Sequence, residues 1–245
     1  MYKKKSLGQH FLRSVSYLNA IADAAEIKKG DTVLEIGPGE GTLTAVLLER
    51  GAHVVAIEKD SRLIPVLTEK FAEKSFKLVE GDALEFEVEK LKLKNFKVVG
   101  NIPYYITGAL LKKFLSGDAQ PSTLVFLIQK EVAERIARSK KESILSLSVK
   151  AYGEPKYIKT VPRGAFAPAP NVDSAILSVA NISRAHFKNA KSEEKFFELV
   201  KTGFGQKRKL LKSNLKKILG EKSEALGSIR AEDMALEEWF KLAAQ

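Results

Sequence analysis

The sequence predicts an α/β fold built on a mostly parallel sheet, with an antiparallel final hairpin and a small C-terminal helical domain. In the first half of the chain, short segments rich in Val, Ile and Leu alternate with helical patterns. Nearly continuous apolar strands are typical of parallel sheets that helices cover on both faces. Two later strand-like segments have no helical pattern between them, which indicates the hairpin, and the last part of the chain is helical and basic.

The positions of the elements follow from the same patterns. Parallel strands are predicted at residues 32–36, 54–58, 77–80, 97–100 and 123–129. Apolar residues at helical spacing predict helices at 42–50, 61–74, 108–115 and 130–138. The hairpin strands are predicted at 157–161 and 175–179, joined by a proline-rich loop. The change in composition predicts two domains, at residues 1–185 and 186–245.

Composition restricts the classes of function. The 245 residues include no cysteine and only three histidines, which excludes thiolate chemistry and predicts no metal site. No apolar run is long enough to cross a bilayer, so we expect a cytoplasmic protein with no membrane contact. Lys and Arg outnumber Asp and Glu by 41 to 30, a net charge of +11. This charge favours a polyanionic partner such as a nucleic acid; the alternative is a lysine-rich surface that only confers solubility or heat stability.

A glycine-rich turn follows the first predicted strand. Gly37, Gly39 and Gly41 lie where glycines let the backbone turn tightly and approach a ligand. Glu58 ends the second strand, where a carboxylate can accept hydrogen bonds from ribose hydroxyls. The spacing differs from the dinucleotide pattern G-x-G-x-x-G, and two glutamates place negative charge where a phosphate would lie. The turn therefore favours a cationic cofactor without phosphates, such as S-adenosylmethionine, over a dinucleotide or a plain structural turn.

Asp82 and Ala83 follow the third predicted strand. A carboxylate at this position could accept a hydrogen bond from the amine of the cofactor's adenine. Alone, the pair would be a weak turn signal, but it follows the glycine turn and Glu58 in the expected order. We therefore expect both residues to bind the cofactor.

The most specific motif is Asn101-Ile102-Pro103-Tyr104, after the fourth strand. The exocyclic amine of adenine is a poor nucleophile because its lone pair is delocalised into the ring. Hydrogen bonds to the Asn101 side-chain carbonyl and the Ile102 backbone carbonyl would draw this nitrogen toward tetrahedral geometry. Pro103 stiffens the turn, and Tyr104 can stack on the base, which is worth about 1–3 kcal/mol in comparable sites. The motif predicts methyl transfer to a nucleobase amine; the alternative is an Asn-x-Pro turn with a core tyrosine.

Together these motifs resemble a known family. The turn at 101–104 is similar to the Asn/Asp-Pro-Pro-Tyr signature of adenine amino-methyltransferases, and in its detail it resembles the ribosomal RNA adenine N6,N6-dimethyltransferases. The N-terminal segment 6–12, the loop 166–175 and the basic segment 204–211 also resemble this family. The resemblance covers nearly the whole chain.

The resemblance implies a Rossmann-like, class I S-adenosylmethionine-dependent methyltransferase. Its implied reaction is dimethylation of two adjacent adenosines in the 3′-terminal hairpin of small-subunit (16S) ribosomal RNA, during ribosome biogenesis. The implied catalytic residues are Asn101, Ile102, Pro103, Tyr104 and Phe166, the last stacking on the target base. The expected cofactor-binding residues are Gln9, His10, Leu12, Gly37, Gly39, Gly41, Glu58, Asp82, Ala83 and Asn101. The expected RNA-binding residues are Lys3, Lys4, Lys5, Lys207, Arg208, Lys209 and Lys212. The expected partner is small-subunit RNA or a pre-30S particle, bound by a monomer.

Two other functions compete with this prediction. The antibiotic-resistance enzymes that methylate large-subunit (23S) RNA have the same catalytic motifs, but they usually lack the segment that 206–211 resembles. A binding protein without enzymatic activity, such as an assembly chaperone or an organellar transcription factor, is the second alternative. The complete set of catalytic motifs favours the enzyme.

Overall fold

The computed structural model describes residues 10–244. Within them lie nine strands: β1 (Phe11–Leu12), β2 (Thr32–Ile36), β3 (His53–Glu58), β4 (Phe76–Glu80), β5 (Lys97–Asn101), β6 (Thr123–Gln129), β7 (Glu154–Val161), β8 (Phe166–Ala167) and β9 (Ser174–Ala180). The same residues form nine α-helices: α1 (Val15–Ala24), α2 (Thr42–Glu49), α3 (Ile64–Lys70), α4 (Thr107–Ser116), α5 (Lys130–Ala137), α6 (Ile144–Lys150), α7 (Ala190–Gly203), α8 (Leu211–Leu219) and α9 (Leu236–Ala243). None of these helices is long and apolar enough to cross a membrane.

Seven strands form one sheet in the order β4-β3-β2-β5-β6-β9-β7. The five strands from β2 to β6 pair in parallel, and β9 is antiparallel to both of its neighbours, β6 and β7. The predicted α/β fold, with its mostly parallel sheet and final antiparallel hairpin, is confirmed. From β2 the chain moves outward to β3 and β4 and then returns to β5 on the other side. This reversal creates a topological switch point between β2 and β5, where open α/β sheets bind ligands.

Local sequence explains where the elements differ from the prediction. The helix predicted at 61–74 is shorter and begins later, at Ile64, with Pro65 in its first turn, where its missing N–H costs nothing. Helix α6 was not predicted; Ser143 caps it, with its hydroxyl accepting a hydrogen bond from the Ser146 backbone N–H at 3.1 Å. Helix α1 and the two-residue strands β1 and β8, which pair with each other, were also not predicted.

Apolar side chains fill both faces of the sheet. On one face a cluster includes Leu12, Leu18, Leu47 and Ile176. On the other face a larger cluster joins sheet residues to the C-terminal helices, whose buried members include Phe196, Leu199, Leu211, Leu215 and Trp239. The C-terminal helices therefore share a continuous core with the sheet, and the domain division at residue 185 remains a prediction.

Candidate active site

The predicted site residues converge on one cleft at the carboxyl ends of the parallel strands. The turns after β2 and β5 lie side by side because these strands pair at the switch point. The ends of β3 and β4 continue the same edge of the sheet. Predicted residues that line the cleft are His10, Leu12, Gly37, Gly39, Glu58, Asp82, Ala83, Asn101, Ile102, Pro103 and Tyr104.

The three glycines in the turn after β2 have different structural roles. Gly37 has a φ of +66°, and a Cβ built there would meet no atom within 4 Å, so this turn leaves open space for a ligand. A Cβ on Gly39 would lie 2.8 Å from the ring of Phe11, which packs over the turn. Gly41, predicted to bind the cofactor, lies outside the cleft lining: a Cβ there would lie 2.7 Å from the Phe71 ring. Gly41 thus allows close packing behind the site.

Two buried carboxylates line the cleft. Glu35 is 1% exposed and accepts a hydrogen bond from the Thr44 hydroxyl at 2.6 Å, and burial raises the pKa of Glu35 to about 7. Glu58 is 6% exposed and accepts backbone hydrogen bonds from Gly39 at 3.1 Å and Asp60 at 2.8 Å. Burial also raises the pKa of the Glu58 carboxyl. Within residues 10–244 no Lys or Arg forms an ion pair with either carboxylate. Buried charge without a counter-ion is costly, so the cleft suits a cationic ligand and disfavours a phosphate.

Asp82 lies on the rim of the cleft beside a cation. Its Oδ2 forms an ion pair with the Lys59 ammonium at 2.6 Å, and its Oδ1 accepts a hydrogen bond from the Leu84 backbone N–H at 2.8 Å. The hydrogen bond from Lys59 lowers the pKa of the Asp82 carboxyl, which keeps it ionised. An ionised carboxylate can still accept a hydrogen bond from an adenine amine, although its Oδ2 already accepts one from Lys59.

The turn after β5 lines the cleft with two residues that carry candidate acceptors, Asn101 and Ile102. The Asn101 side-chain Nδ2 donates a hydrogen bond to the His10 backbone carbonyl at 2.7 Å, which fixes the orientation of the amide. No residue in the described part of the chain donates a hydrogen bond to the Asn101 Oδ1 or to the Ile102 carbonyl. The Ile102 side chain is buried beneath the turn, so it anchors the backbone. Both oxygens are thus available to the two hydrogens of an amine.

Tyr104 is held beside these acceptors. Its hydroxyl and that of Ser174, at the start of β9, are 2.7 Å apart and hydrogen-bonded. Burial raises the pKa of the Tyr104 phenol, so the ring stays neutral at physiological pH. The His10 ring lies nearly parallel to the Tyr104 ring, at an interplanar angle of 20° and a centroid separation of 6.2 Å. The two rings line the same cleft.

Phe166, predicted to stack on the target base, lies elsewhere. It is 6% exposed, pairs with Leu12 between β8 and β1, and packs in the apolar cluster behind the cleft. The cleft lining does not include it. The ring is buried because β8 pairs with β1, a contact too short to leave a sequence pattern. This conformation gives Phe166 a packing role, and its contact with a base remains a prediction.

The predicted RNA-binding residues fall into three groups. Lys3, Lys4 and Lys5, like the predicted cofactor ligand Gln9, lie outside the described residues. Lys207, Arg208 and Lys209 are exposed in the turn between α7 and α8. Lys212 differs, because its ammonium forms an ion pair with Glu224 at 2.7 Å. Its charge is therefore partly neutralised within the protein.

Sequence reasoning gave no specific site role to three residues: Glu35 and Lys59, which line the cleft, and Ser174, which bonds to Tyr104. Glu35 was recognised only as negative charge, although its place inside a buried strand predicts a raised pKa. Lys59 follows Glu58 directly, at the end of β3. This position at the end of a parallel strand could have predicted that Lys59 lies at the cleft. Ser174 lies in the segment 166–175 that resembles the family, but its contact with Tyr104 has no local sequence pattern, because it depends on how the chain returns to the sheet.

Comparisons with known proteins agree with this geometry. Residues 1–241 match the family model described as "Ribosomal RNA adenine dimethylase". Proteins named "Ribosomal RNA small subunit methyltransferase A" are similar to this chain: that of Dehalococcoides mccartyi is 42% identical, covering 99% of this chain and 88% of the relative. The protein of that name in Fusobacterium nucleatum is 39% identical, with coverages of 98% and 96%.

Solved structures show the same similarity. A dimethyladenosine transferase from Plasmodium falciparum has a TM-score of 0.82 and 26% identity, covering 95% of this chain and 96% of its own. The 23S rRNA methyltransferase ErmE has a TM-score of 0.79 and 28% identity, with coverages of 96% and 100%. The class I methyltransferase fold and S-adenosylmethionine as the methyl donor are thereby confirmed. The curated relatives support the small-subunit enzyme over the large-subunit alternative, and this chain belongs to the ribosomal RNA adenine dimethylase family.

Proposed function

We propose that this protein transfers methyl groups from S-adenosylmethionine to the N6 atoms of two adjacent adenosines in the 3′-terminal hairpin of small-subunit ribosomal RNA. One observation carries the proposal. Asn101 and Ile102 line the cleft beside the glycine turn, and no described residue donates a hydrogen bond to the Asn101 Oδ1 or to the Ile102 carbonyl.

The cleft residues fit the cofactor. Gly37 offers space for close approach, Glu58 would accept hydrogen bonds from the ribose, and Asp82 would accept one from the adenine amine. Glu35 supplies buried negative charge, which suits the amino group and the sulfonium. When bound, S-adenosylmethionine supplies an electrophilic methyl group. Gly41 would contribute to cofactor binding only by allowing close packing against Phe71, and it would not contact the cofactor.

The chain's own residues prepare the nucleophile. A target adenine leaves its stack at a cost of a few kcal/mol and enters the cleft. The Asn101 Oδ1 and the Ile102 carbonyl each accept one hydrogen of its amine, which localises the nitrogen lone pair and directs it out of the ring plane. Pro103 fixes the turn and Tyr104 supports the base from one face. No general base is needed, because the methylated amine loses its proton readily to water. Catalysis then consists of positioning and pre-organised acceptors.

The basic surface would hold the RNA backbone. Lys207, Arg208 and Lys209 are exposed, and phosphate contacts of this kind fix position without reading sequence. We also propose Lys3, Lys4, Lys5 and Lys212 as phosphate contacts, with a smaller contribution from Lys212 because it already pairs with Glu224. The substrate would be a pre-30S particle in the cytoplasm, bound by a monomer through residues 186–245.

Radiolabelled methyl transfer tests the proposal. Unmethylated small subunits, and large subunits as a control, would be incubated with the protein and labelled S-adenosylmethionine, and the RNA digested to nucleosides. We expect N6,N6-dimethyladenosine from small subunits only. Label confined to large-subunit RNA would establish the 23S alternative. No label on either, with retained RNA binding, would establish the non-enzymatic alternative.

A further inference from the structure

The cleft contains a second aromatic ring with no assigned role toward the substrate. His10 was expected to bind the cofactor, yet its ring faces Tyr104 at an angle of 20°, and both rings line the cleft. Near-parallel rings in one cleft are the arrangement that stacking on a flat base requires.

His10 is held at two points, one on its ring and one on its backbone. Its Nδ1 is hydrogen-bonded to the Pro168 backbone carbonyl at 2.9 Å, which ties it to the loop after β8. Its backbone carbonyl accepts the hydrogen bond from the Asn101 Nδ2. These contacts place His10 beside the amide that would receive the target amine.

The dimensions suit a nucleobase. Stacked bases are spaced about 3.4 Å apart, so a base between two rings separates their centroids by about 7 Å. The observed centroid separation is 6.2 Å, so the two rings must move apart by about 1 Å or more to admit a base between them. Phe166, the other ring considered for this task, is buried outside the cleft lining.

We propose that His10 is a base-holding residue: the target adenine is seated against both the Tyr104 and the His10 rings, with its amine at Asn101. This assignment rests on the proposed function, because it names the residue that holds the substrate of that reaction. The imidazole supplies a flat face for stacking, and its bond to Pro168 keeps that face aligned.

Side-chain variants separate the ring from its polar atoms. His10→Asn keeps a polar group but removes the ring, whereas His10→Phe keeps a ring and removes the hydrogen bond to Pro168. Both leave the backbone carbonyl that orients Asn101 in place. For each, we would measure kcat and KM for unmethylated small subunits, and the Kd for S-adenosylmethionine by calorimetry.

We expect His10→Asn to lower kcat/KM for the subunits by about tenfold or more, the range of one lost stacking contact, while the cofactor Kd changes by less than about twofold. His10→Phe should recover most of that loss. Equal losses in both variants, no loss in His10→Asn, or a parallel weakening of cofactor binding would overturn the assignment. An unmodified protein without activity on small subunits would instead refute the proposed function itself, so the two failures are distinguishable.

Discussion

The cleft and the basic segment at residues 207–217 are both rich in charge, but they are organised in opposite ways. The cleft gathers residues from the ends of separate strands, and its two glutamates are almost fully buried. The basic segment is contiguous in sequence and most of its cations are exposed. We propose that position and burial determine the chemistry of the cleft, whereas the number of unpaired charges determines the affinity of the segment for RNA. Substitutions in the two regions should therefore affect different measured quantities.

The largest effect expected is that of Asn101→Ala, which removes one of the two acceptors. Losing one pre-organised polar contact typically lowers kcat by about 100- to 1000-fold. Affinity for RNA should be nearly unchanged, because the basic surface is intact. Filter-binding and methyl-transfer assays on the same variant test this. A parallel loss of RNA affinity would mean that Asn101 belongs to the binding surface, and the contrast between the two regions would fail.

In the basic segment, changing Lys207, Arg208 and Lys209 together to Gln should weaken RNA binding and leave kcat nearly unchanged. The slope of log K against log salt should become shallower by about 2–3, since each phosphate contact contributes about 0.7–0.9. The kcat at saturating substrate should remain close to that of the unmodified protein. Truncation is a poorer test, because Phe196, Leu199 and Trp239 belong to the core shared with the sheet.

Lys212→Gln is the matched control for the triple variant. Because Lys212 already pairs with Glu224, its removal should change the salt slope by less than one exposed lysine would. A slope change for Lys212→Gln equal to that of Lys209→Gln would show that internal pairing does not limit RNA contact.

Burial of Glu35 predicts a pH dependence in cofactor binding. With a pKa of about 7, the carboxyl is mostly protonated at pH 6 and mostly ionised at pH 8. A cation prefers the ionised form, so S-adenosylmethionine affinity should rise with pH and level off above about pH 8. The cofactor's own amine also titrates, so the affinity of the unmodified protein is compared with that of Glu35→Gln. The ratio of the two affinities should rise about tenfold between pH 6 and pH 8. A ratio that does not change with pH would show that Glu35 does not act on the bound cofactor.

The smallest effect concerns the Tyr104 hydroxyl. Tyr104→Phe keeps the ring and removes the hydrogen bond to Ser174. We expect kcat/KM to fall by about two- to tenfold, the usual range for one neutral hydrogen bond. Tyr104→Ala should lower kcat/KM further, because it also removes the ring on which the base stacks. Similar kinetics for the two variants would show that the ring does not contact the base.

The sequence predicted the parts of the fold and of the site that local patterns encode. The apolar strands predicted the sheet, and the glycine turn and the turn at 101–104 predicted two sides of the cleft because both follow strands that meet at the switch point. It did not predict contacts between distant segments. The pairing of β1 with β8 buries Phe166, and the return of β9 brings Ser174 to Tyr104. Neither contact has a periodicity or a capping signal, so both depend on tertiary packing.

A crystal structure of the protein with S-adenosylhomocysteine and an RNA hairpin that contains the target adenosines tests the central claim most directly. We predict a flipped adenine on Tyr104, with its N6 within hydrogen-bond distance of the Asn101 Oδ1 and the Ile102 carbonyl. A bound adenine whose amine lies away from these two oxygens would contradict the account.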